Sequence, residues 1–233
     1  MLLLSNCKAN QYNENLLRKG LKSLPQYGIM LPFLPAGKSM SHHANKPTRD
    51  EAMAAVKTLL RWAGDNPDRE GLIDTPKRVI NAYEEFFAGY EQDPEDILSR
   101  TFEEVEGYSE IVLMKNMRLE SHCEHHMVPI IGKAHVAYIP EKRVVGISKL
   151  ARLVDVYAKR LQTQETMTMQ IAETIDRVLA PKGVAVIIDA KHQCMTTRGV
   201  HKQESSTVTS RLTGLFREDP RTRVELMSLI DLS

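Results

Sequence analysis

Residues 121–140 read SHCEHHMVPIIGKAHVAYIP, a hexapeptide rich in histidine followed by a mainly apolar segment. Residues 133–139 have the alternation of a strand, and so do residues 111–119, on the other side of the hexapeptide. The hexapeptide therefore lies in the connection between two predicted strands. It holds one of the three cysteines and three of the eight histidines of the chain. Such crowding indicates either a polar surface loop or a metal site.

Two helices are predicted before these strands. The first has an apolar face that includes Leu59, and Gly64 can end it in a left-handed conformation. The second is DTPKRVINAYEEFFAGY (residues 74–90), with Thr75 as the expected N-cap and Gly89 at its end. We expect the two helices to pair with each other.

Two helices, two strands and a last helix are predicted after the hexapeptide and its strands. Apolar periodicity of 3.6 residues indicates the helices, of which the first can be capped by Ser148, and β-branched runs indicate the strands. In chain order these elements are GISKLARLVDVYAKRL (146–161), residues 164–179, GVAVIIDAKHQC (183–194), SSTVTSRLTGL (205–215) and DPRTRVELMSLI (219–230). The order of elements predicts an α+β fold with an antiparallel sheet.

Composition restricts the class of protein. The chain has 233 residues, 42% hydrophobic and 26% charged, as in an ordinary globular protein. A net charge of +1 gives no overall attraction to nucleic acid or to an anionic membrane, so we expect neither as a partner. No apolar run reaches the roughly 18 residues of a membrane-spanning helix. Three cysteines are a poor disulfide framework and suit a reducing compartment, so we expect a cytoplasmic location.

The spacing of Cys123 and His126 allows a tight turn to bring a thiolate and an imidazole onto one ion. Cys194 supplies a second thiol at the end of a predicted strand, and two thiols with one imidazole suit zinc. His192 lies two residues before Cys194, so both side chains would emerge on one face of an extended segment. His125 and His192 are then either a fourth ligand, as in a structural site, or catalytic groups beside an open position for water.

A group of basic residues indicates an anion site. Ser148, Lys149 and Arg152 lie at the predicted start of a helix, where free N–H groups and the helix dipole favour an anion. The alternative is a capped amphipathic helix with a solvated basic face. Arg198 and Arg78 are further candidate cations, each of which can equally be a surface residue.

Glu165 and Gln164 lie between two predicted helical segments. A carboxylate at this place can accept two hydrogen bonds from the edge of guanine, which adenine cannot offer. The alternative for Glu165 is an acid that is favourable at a helix N-terminus.

Four segments, in this order and spacing, resemble GTP cyclohydrolase I, the zinc-dependent first enzyme of pterin synthesis. They are SHCEHHMVPIIGKAHVAYIP, GISKLAR, QTQE and HQCMTTRGV. TPKR and GLFREDPRTRVEL are also similar to it, so the resemblance covers most of the chain after residue 50. It implies a tunnelling fold (T-fold), an antiparallel sheet with two helices on one face, preceded by a helical hairpin. It also implies a homodecamer, a dimer of pentamers, with active sites at subunit interfaces.

The resemblance implies a role for each candidate residue in converting GTP to formate and 7,8-dihydroneopterin triphosphate. Zn²⁺ would be held by Cys123, His126 and Cys194, with water as the fourth ligand. His125 and His192 would transfer protons while the purine imidazole ring opens. The substrate contacts would be Glu165 and Gln164 at guanine, and Lys149, Arg152, Arg198, the nearby Ser148 and a neighbouring subunit's Arg78 at the triphosphate. His122 has no assigned role and is expected to be a polar loop residue.

The same resemblance suggests the domain organisation. Residues 1–48 lie outside it and are expected to be a disordered extension, residues 49–92 a helical N-terminal region and residues 93–233 the catalytic T-fold domain. A targeting leader or an alternative start at Met40 would also account for the basic, acid-poor composition of residues 1–48.

One departure from the family pattern and two alternatives remain. The family usually reads QVQERLT where this chain reads QTQETMT, so Thr166 replaces an arginine after Glu165. One alternative is a nitrile reductase of the same fold, which uses a cysteine nucleophile and NADPH and leaves the histidines without a role. The other is a binding or assembly protein whose zinc is structural and closed by His125 or His192.

Overall fold

The computed structural model describes residues 46–102 and 108–231. The predicted extension, residues 1–48, lies outside the described residues except for its last three. Within the described residues, no helix combines the length and apolarity that crossing a bilayer requires.

Helices and strands occur where the sequence predicts them, and several short elements join them. The helices are α1 (Arg49–Trp62), α2 (Thr75–Phe86), α3 (Pro94–Leu98), α4 (Ile147–Ala158), α5 (Gln164–Leu179), α6 (Gln193–Thr196), α7 (Leu215–Glu218) and α8 (Pro220–Asp231). The strands are β1 (Thr101–Phe102), β2 (Val112–Cys123), β3 (Pro129–Ile139), β4 (Val144–Val145), β5 (Leu161–Gln162), β6 (Gly183–His192) and β7 (Thr207–Leu212). The α+β prediction is confirmed.

Five strands form one sheet in the order β5-β2-β3-β6-β7. Its long pairs are antiparallel, as predicted, whereas β5 pairs in parallel with the end of β2. The two remaining strands, β1 and β4, form a separate antiparallel pair. The end of β2 is therefore held between β3 on one side and β5 on the other.

Two helices, α4 and α5, cover one face of the sheet, as the predicted fold requires. They form the main core, which includes Leu150, Leu153, Ile171 and Ile175 from the helices and Ala134, Val136, Val186 and Ile188 from the strands. The opposite face is covered at one end by α7 and α8, which bury Phe216 and Leu226 against Ala137. Lys115 of β2 donates a hydrogen bond to the Leu229 carbonyl at 3.0 Å, which anchors α8. This second cluster is absent from the prediction.

The N-terminal helices pair, but the first buries no side chain in the single chain. Leu59, predicted to face inward, is 63% exposed, and Trp62 is 87% exposed. Thr48 and Glu51 form a capping box at the start of α1, and Gly64, with φ of 95°, follows its end. The predicted left-handed stop is therefore confirmed. Of the predicted apolar face, Met53, Val56 and Leu60 are partly buried, whereas the inward position predicted for Leu59 is wrong for this chain alone.

Three local predictions are wrong. Thr75 is the first residue of α2 rather than its cap, since Asp74 occupies the N-cap position. Ser148 is likewise inside α4, whose N-cap is Gly146, with no side-chain cap. Gly89 lies in a 3-10 turn (Ala88–Glu91) after α2 has ended, and a Cβ there would lie 2.1 Å from the Val156 carbonyl oxygen. Glycine at position 89 allows the turn to approach α4 closely, and it does not end α2.

Candidate active site

The turn between β2 and β3 presents the histidine-rich hexapeptide. β2 continues to Cys123, further than predicted, and β3 begins at Pro129. The Cys123 N–H donates to the Val128 carbonyl at 2.9 Å, and the Met127 N–H donates to the Cys123 carbonyl at 2.8 Å. Met127 has a left-handed backbone, with φ of 55°. The tight turn that the Cys-x-x-His spacing requires is therefore present.

Cys123, His126 and Cys194 converge after this turn. One ligand atom from each of them lies within 4.8 Å of the others. The Cys123 Sγ and His126 Nδ1 atoms are 3.9 Å apart. Ordinary zinc bond lengths in a tetrahedron place a sulfur and a nitrogen ligand about 3.6 Å apart. The three side chains therefore fit a single zinc-sized ion with little movement.

Cys194 reaches this cluster from a different backbone conformation than predicted. β6 ends at His192, and Cys194 lies in the single helical turn α6. The expectation that His192 and Cys194 share one face of an extended strand is therefore wrong. Burial, and next the neighbouring Cys123 thiol, raise the pKa of Cys194. Because a metal binds the thiolate, loading this site requires the loss of that proton.

His125 lies beside the cluster without joining it. Its Nδ1 atom is 3.7 Å from Cys123 Sγ, and its side chain is exposed. Its Nε2 atom lies 3.8 Å from a carboxylate oxygen of Glu124, a residue to which the sequence assigned no role. The Glu124 N–H donates to the Gln162 carbonyl at 3.0 Å, which ties this part of the turn to β5. The exposed imidazole of His125 is therefore accessible to a molecule bound at the cluster.

His192 points to Gln164 rather than to the thiols. Its Nε2 atom lies 2.8 Å from Gln164 Oε1. The Gln164 amide nitrogen is directed to three acceptors, the Ile188 and Thr207 carbonyls at 3.0 and 2.8 Å and Thr209 Oγ1 at 3.1 Å. The amide oxygen therefore faces His192, so His192 Nε2 carries the proton and Nδ1 is the free acceptor. Burial lowers the pKa of His192, and the Glu165 carboxylate partly opposes this shift.

Gln164 is fully buried, and its side-chain hydrogen-bonding groups are all engaged. In this arrangement the Gln164 side chain orients His192, and the expectation that it anchors guanine stays a prediction. Sequence periodicity gave no signal of this role, because the four partners lie 24 to 45 positions away.

Glu165 lies in the first turn of α5 and is exposed. It lines a cleft with Thr168, Thr209 and Arg211. Thr166, at the position of the usual arginine, donates its N–H to Thr163 Oγ1 at 3.2 Å and so completes the cap of α5. Arg211, which the sequence did not single out, places a guanidinium in the same cleft, with Nη2 3.5 Å from Glu173.

The candidate cations fall into three places. Lys149 lies with Ser148 and Arg152 in the first two turns of α4. Arg198 Nη1 lies 2.9 Å from His126 Nε2, beside the metal-ligand candidates. Arg78 is on α2, where it pairs with Asp74 at 3.6 Å. Its contacts within the described residues of one chain do not include the cluster.

The Arg198 contact defines the state of His126. A guanidinium can only donate, so Nε2 accepts and the ring proton is on Nδ1, the atom that faces Cys123. Metal binding through Nδ1 requires that proton to move to Nε2. Two donors would then face each other, and Arg198 would be released from the ring.

His122 is neither a loop residue nor a ligand candidate. It is the second-last residue of β2, it is buried, and it stacks on Phe86 of α2 with ring centroids 4.6 Å apart. Burial lowers the pKa of His122. The expectation of a polar loop residue is therefore wrong.

Comparison with known proteins matches the chain over the region in which this site is built. The family model described as GTP cyclohydrolase I matches residues 52–231. GTP cyclohydrolase 1 of Maricaulis maris (strain MCS10) is 59% identical over 186 residues, 80% of this chain and 91% of that protein. GTP cyclohydrolase 1 of Brucella suis (strain ATCC 23445 / NCTC 10510) is 58% identical over 200 residues, 86% of this chain and 93% of that protein. The chain therefore belongs to the GTP cyclohydrolase I family.

Proposed function

We propose that this chain is a zinc-dependent hydrolase that converts GTP and water into formate and 7,8-dihydroneopterin triphosphate, the first step of pterin synthesis. The observation that carries the proposal is the convergence of Cys123, His126 and Cys194 within 4.8 Å, with two further histidines beside them. Family membership, with relatives that share 58–59% of aligned residues, supports the same reaction.

The donor set favours zinc over other divalent ions. Two thiolates and an imidazole form a borderline-soft set, and the described residues contribute three ligand atoms to the cluster. Three protein ligands leave a fourth position for water, as in catalytic zinc sites, which argues against a purely structural ion. Bound zinc lowers the pKa of a coordinated water to about 7 and so supplies a nucleophile at neutral pH.

His192 and His125 handle protons as the C–N bonds at C8 of the purine break. Each cleavage leaves a nitrogen that must take up a proton, and a histidine titrates in the working range. His192 presents its unprotonated Nδ1, because Gln164 holds Nε2 in a hydrogen bond. His125 is exposed and so accessible to a substrate bound at the cluster. The two histidines therefore differ in how firmly they are oriented.

The substrate is held at its two ends. Glu165 accepts hydrogen bonds from the guanine edge. It directly follows Gln164, whose side chain contacts His192, and its carboxylate acts on the pKa of His192, which supports a place close to that histidine. Lys149, Arg152 and Arg198 neutralise the triphosphate, with Ser148 beside them. Arg78 would act on the site of a neighbouring subunit, which fits its position on α2 away from this chain's own cluster.

An assembled, cytoplasmic protein is part of this proposal. The α1–α2 hairpin leaves Leu59, Trp62 and Ile73 exposed, which supports a subunit interface on this surface. We expect a homodecamer, a dimer of pentamers. The alternative of a nitrile reductase is not supported by the family match, and it gives no role to His125 and His126.

The deciding experiment is turnover of GTP by the purified, zinc-loaded protein. Formate should appear together with a product that becomes fluorescent after oxidation. The zinc content is measured on the same sample. Absence of formate at full zinc occupancy would refute the proposed reaction.

A further inference from the structure

His122 is a buried ring next to a metal-ligand candidate, and the proposed reaction gives it no role. It directly precedes Cys123 at the end of β2 and is 7% exposed. Neighbouring residues of a strand point to opposite faces. A rotation of the strand that moves the His122 ring therefore moves the Cys123 sulfur the opposite way.

The ring is packed against helix α2. It stacks on Phe86 at 4.6 Å between centroids with 30° between planes, and meets Phe87 edge-on at 5.4 Å and 69°. Phe87 in turn meets Tyr83 at 5.2 Å and 75°. Stacked and edge-to-face pairs at these distances contribute beyond the area that they bury. The strand end and α2 therefore share one aromatic cluster, His122, Phe86, Phe87 and Tyr83.

This cluster is important to the hairpin because the hairpin buries little else. α1 has no buried side chain, and Pro76 is the buried residue of α2. The C-terminal end of α2 makes the contacts with His122 and leads into the turn at which Gly89 approaches α4. The aromatic contacts between the hairpin and the sheet therefore lie at its C-terminal end.

On the strand side, main-chain hydrogen bonds hold the neighbouring residues. The Cys123 N–H bonds to Val128, and the Glu124 N–H bonds to Gln162. These bonds hold the main chain of the strand end, and the His122 ring adds a side-chain contact between it and α2. Both act on the strand end from which the Cys123 sulfur points to His126 and Cys194.

We propose that His122 is a positioning residue, whose stacking on Phe86 and Phe87 aligns Cys123 for metal binding and couples the metal site to the N-terminal hairpin. This inference rests on the metal site of the proposed function. The His122 ring acts here by packing, and its nitrogens have no part in the proposed role.

The test is zinc affinity, measured by competition with a chelator at fixed pH, for His122→Ala, His122→Phe and Phe86→Ala. Residues that orient metal ligands typically change affinity 10-fold to 100-fold when they are lost. His122→Ala and Phe86→Ala should each weaken zinc binding about 10-fold. His122→Phe keeps the stacked ring and should stay within about threefold of the parent protein, by the same scale. Hydrogen exchange of α2 amides should rise in the two alanine variants and not in the phenylalanine variant.

Glu85→Ala is the matched control, because it removes an exposed side chain that directly precedes Phe86 in the same helix. It should leave zinc affinity unchanged. Unchanged affinity in Phe86→Ala, or a loss in His122→Phe equal to that in His122→Ala, would overturn the proposal. The first outcome would remove the role of stacking, and the second would show that the imidazole itself is required. Failure of the GTP reaction alone would leave these affinities, and this inference, standing.

Discussion

Replacing Gln164 by alanine separates a positioning role from a substrate-binding role. The substitution removes one hydrogen bond to His192 and the donors to Ile188, Thr207 and Thr209. A buried polar group left without its partner costs about 1–3 kcal/mol. The strand carbonyls retain part of their pairing, so we expect a loss of about 2–4 kcal/mol in the free energy of unfolding. Urea titration of the zinc-loaded protein measures it.

The same substitution should also slow turnover, because it frees the His192 imidazole. Without Gln164 the His192 ring can rotate or change tautomer, and a misplaced proton carrier costs about 10-fold to 100-fold in rate. We expect this loss in kcat, with the KM for GTP within about threefold of the parent and zinc content unchanged, because no binding contact is removed.

Gln162→Ala is the matched control for this experiment. Gln162 is another buried glutamine, whose amide donates to the Tyr157 carbonyl and to Gln170, each at 3.0 Å, and does not contact His192. It should lose stability while keeping kcat. If Gln164→Ala instead raises KM strongly at unchanged kcat, Gln164 contacts the base and the orientation argued from its four hydrogen bonds is wrong.

Three further predictions concern metal and protons. Cys194→Ser should strip zinc, as metal analysis will show, whereas His125→Ala should keep zinc and lose turnover; loss of zinc from His125→Ala would contradict the ligand assignment. Because the pKa of Cys194 is raised by burial, apparent zinc affinity, measured by chelator competition, should rise with pH up to the thiol range, and a flat profile would argue against Cys194 as a ligand. Burial lowers the pKa of His135 below its usual 6.5, so the unfolded state binds its proton more readily, and the free energy of unfolding should fall as pH drops below about 6.5. His135→Gln should flatten that fall in urea titrations, and an unchanged slope would assign it to other groups.

The sequence predicted those features that depend on local spacing. The Cys-x-x-His pattern requires a turn, and the turn is present; the apolar periods located the long helices and strands. Helix caps were mispredicted at Thr75 and Ser148, because the approach of the chain before each helix decides which residue caps it. The apolar periodicity of a helix carries no information on the path of the chain before it.

Functions that depend on distant partners were missed for the same reason. The packing of His122 on Phe86 and the engagement of Gln164 by β6 and β7 join residues far apart in the chain. The alternation of polar and apolar residues reports whether a side chain is buried, but not which group it meets.

The two-residue strand β5 fixes how the metal-ligand candidate Cys123 and the start of α5 are placed along the chain. It pairs in parallel with the end of β2, so that Cys123 lies opposite Gln162, and α5 with Glu165 begins directly after Thr163. If zinc meets C8 and Glu165 meets the far edge of the purine, main-chain pairing fixes the span between them. Side-chain substitutions around the site can then change affinity without changing this span. A single residue inserted between Gln162 and Glu165 would change it, so the reaction should tolerate variation in composition here and no variation in length.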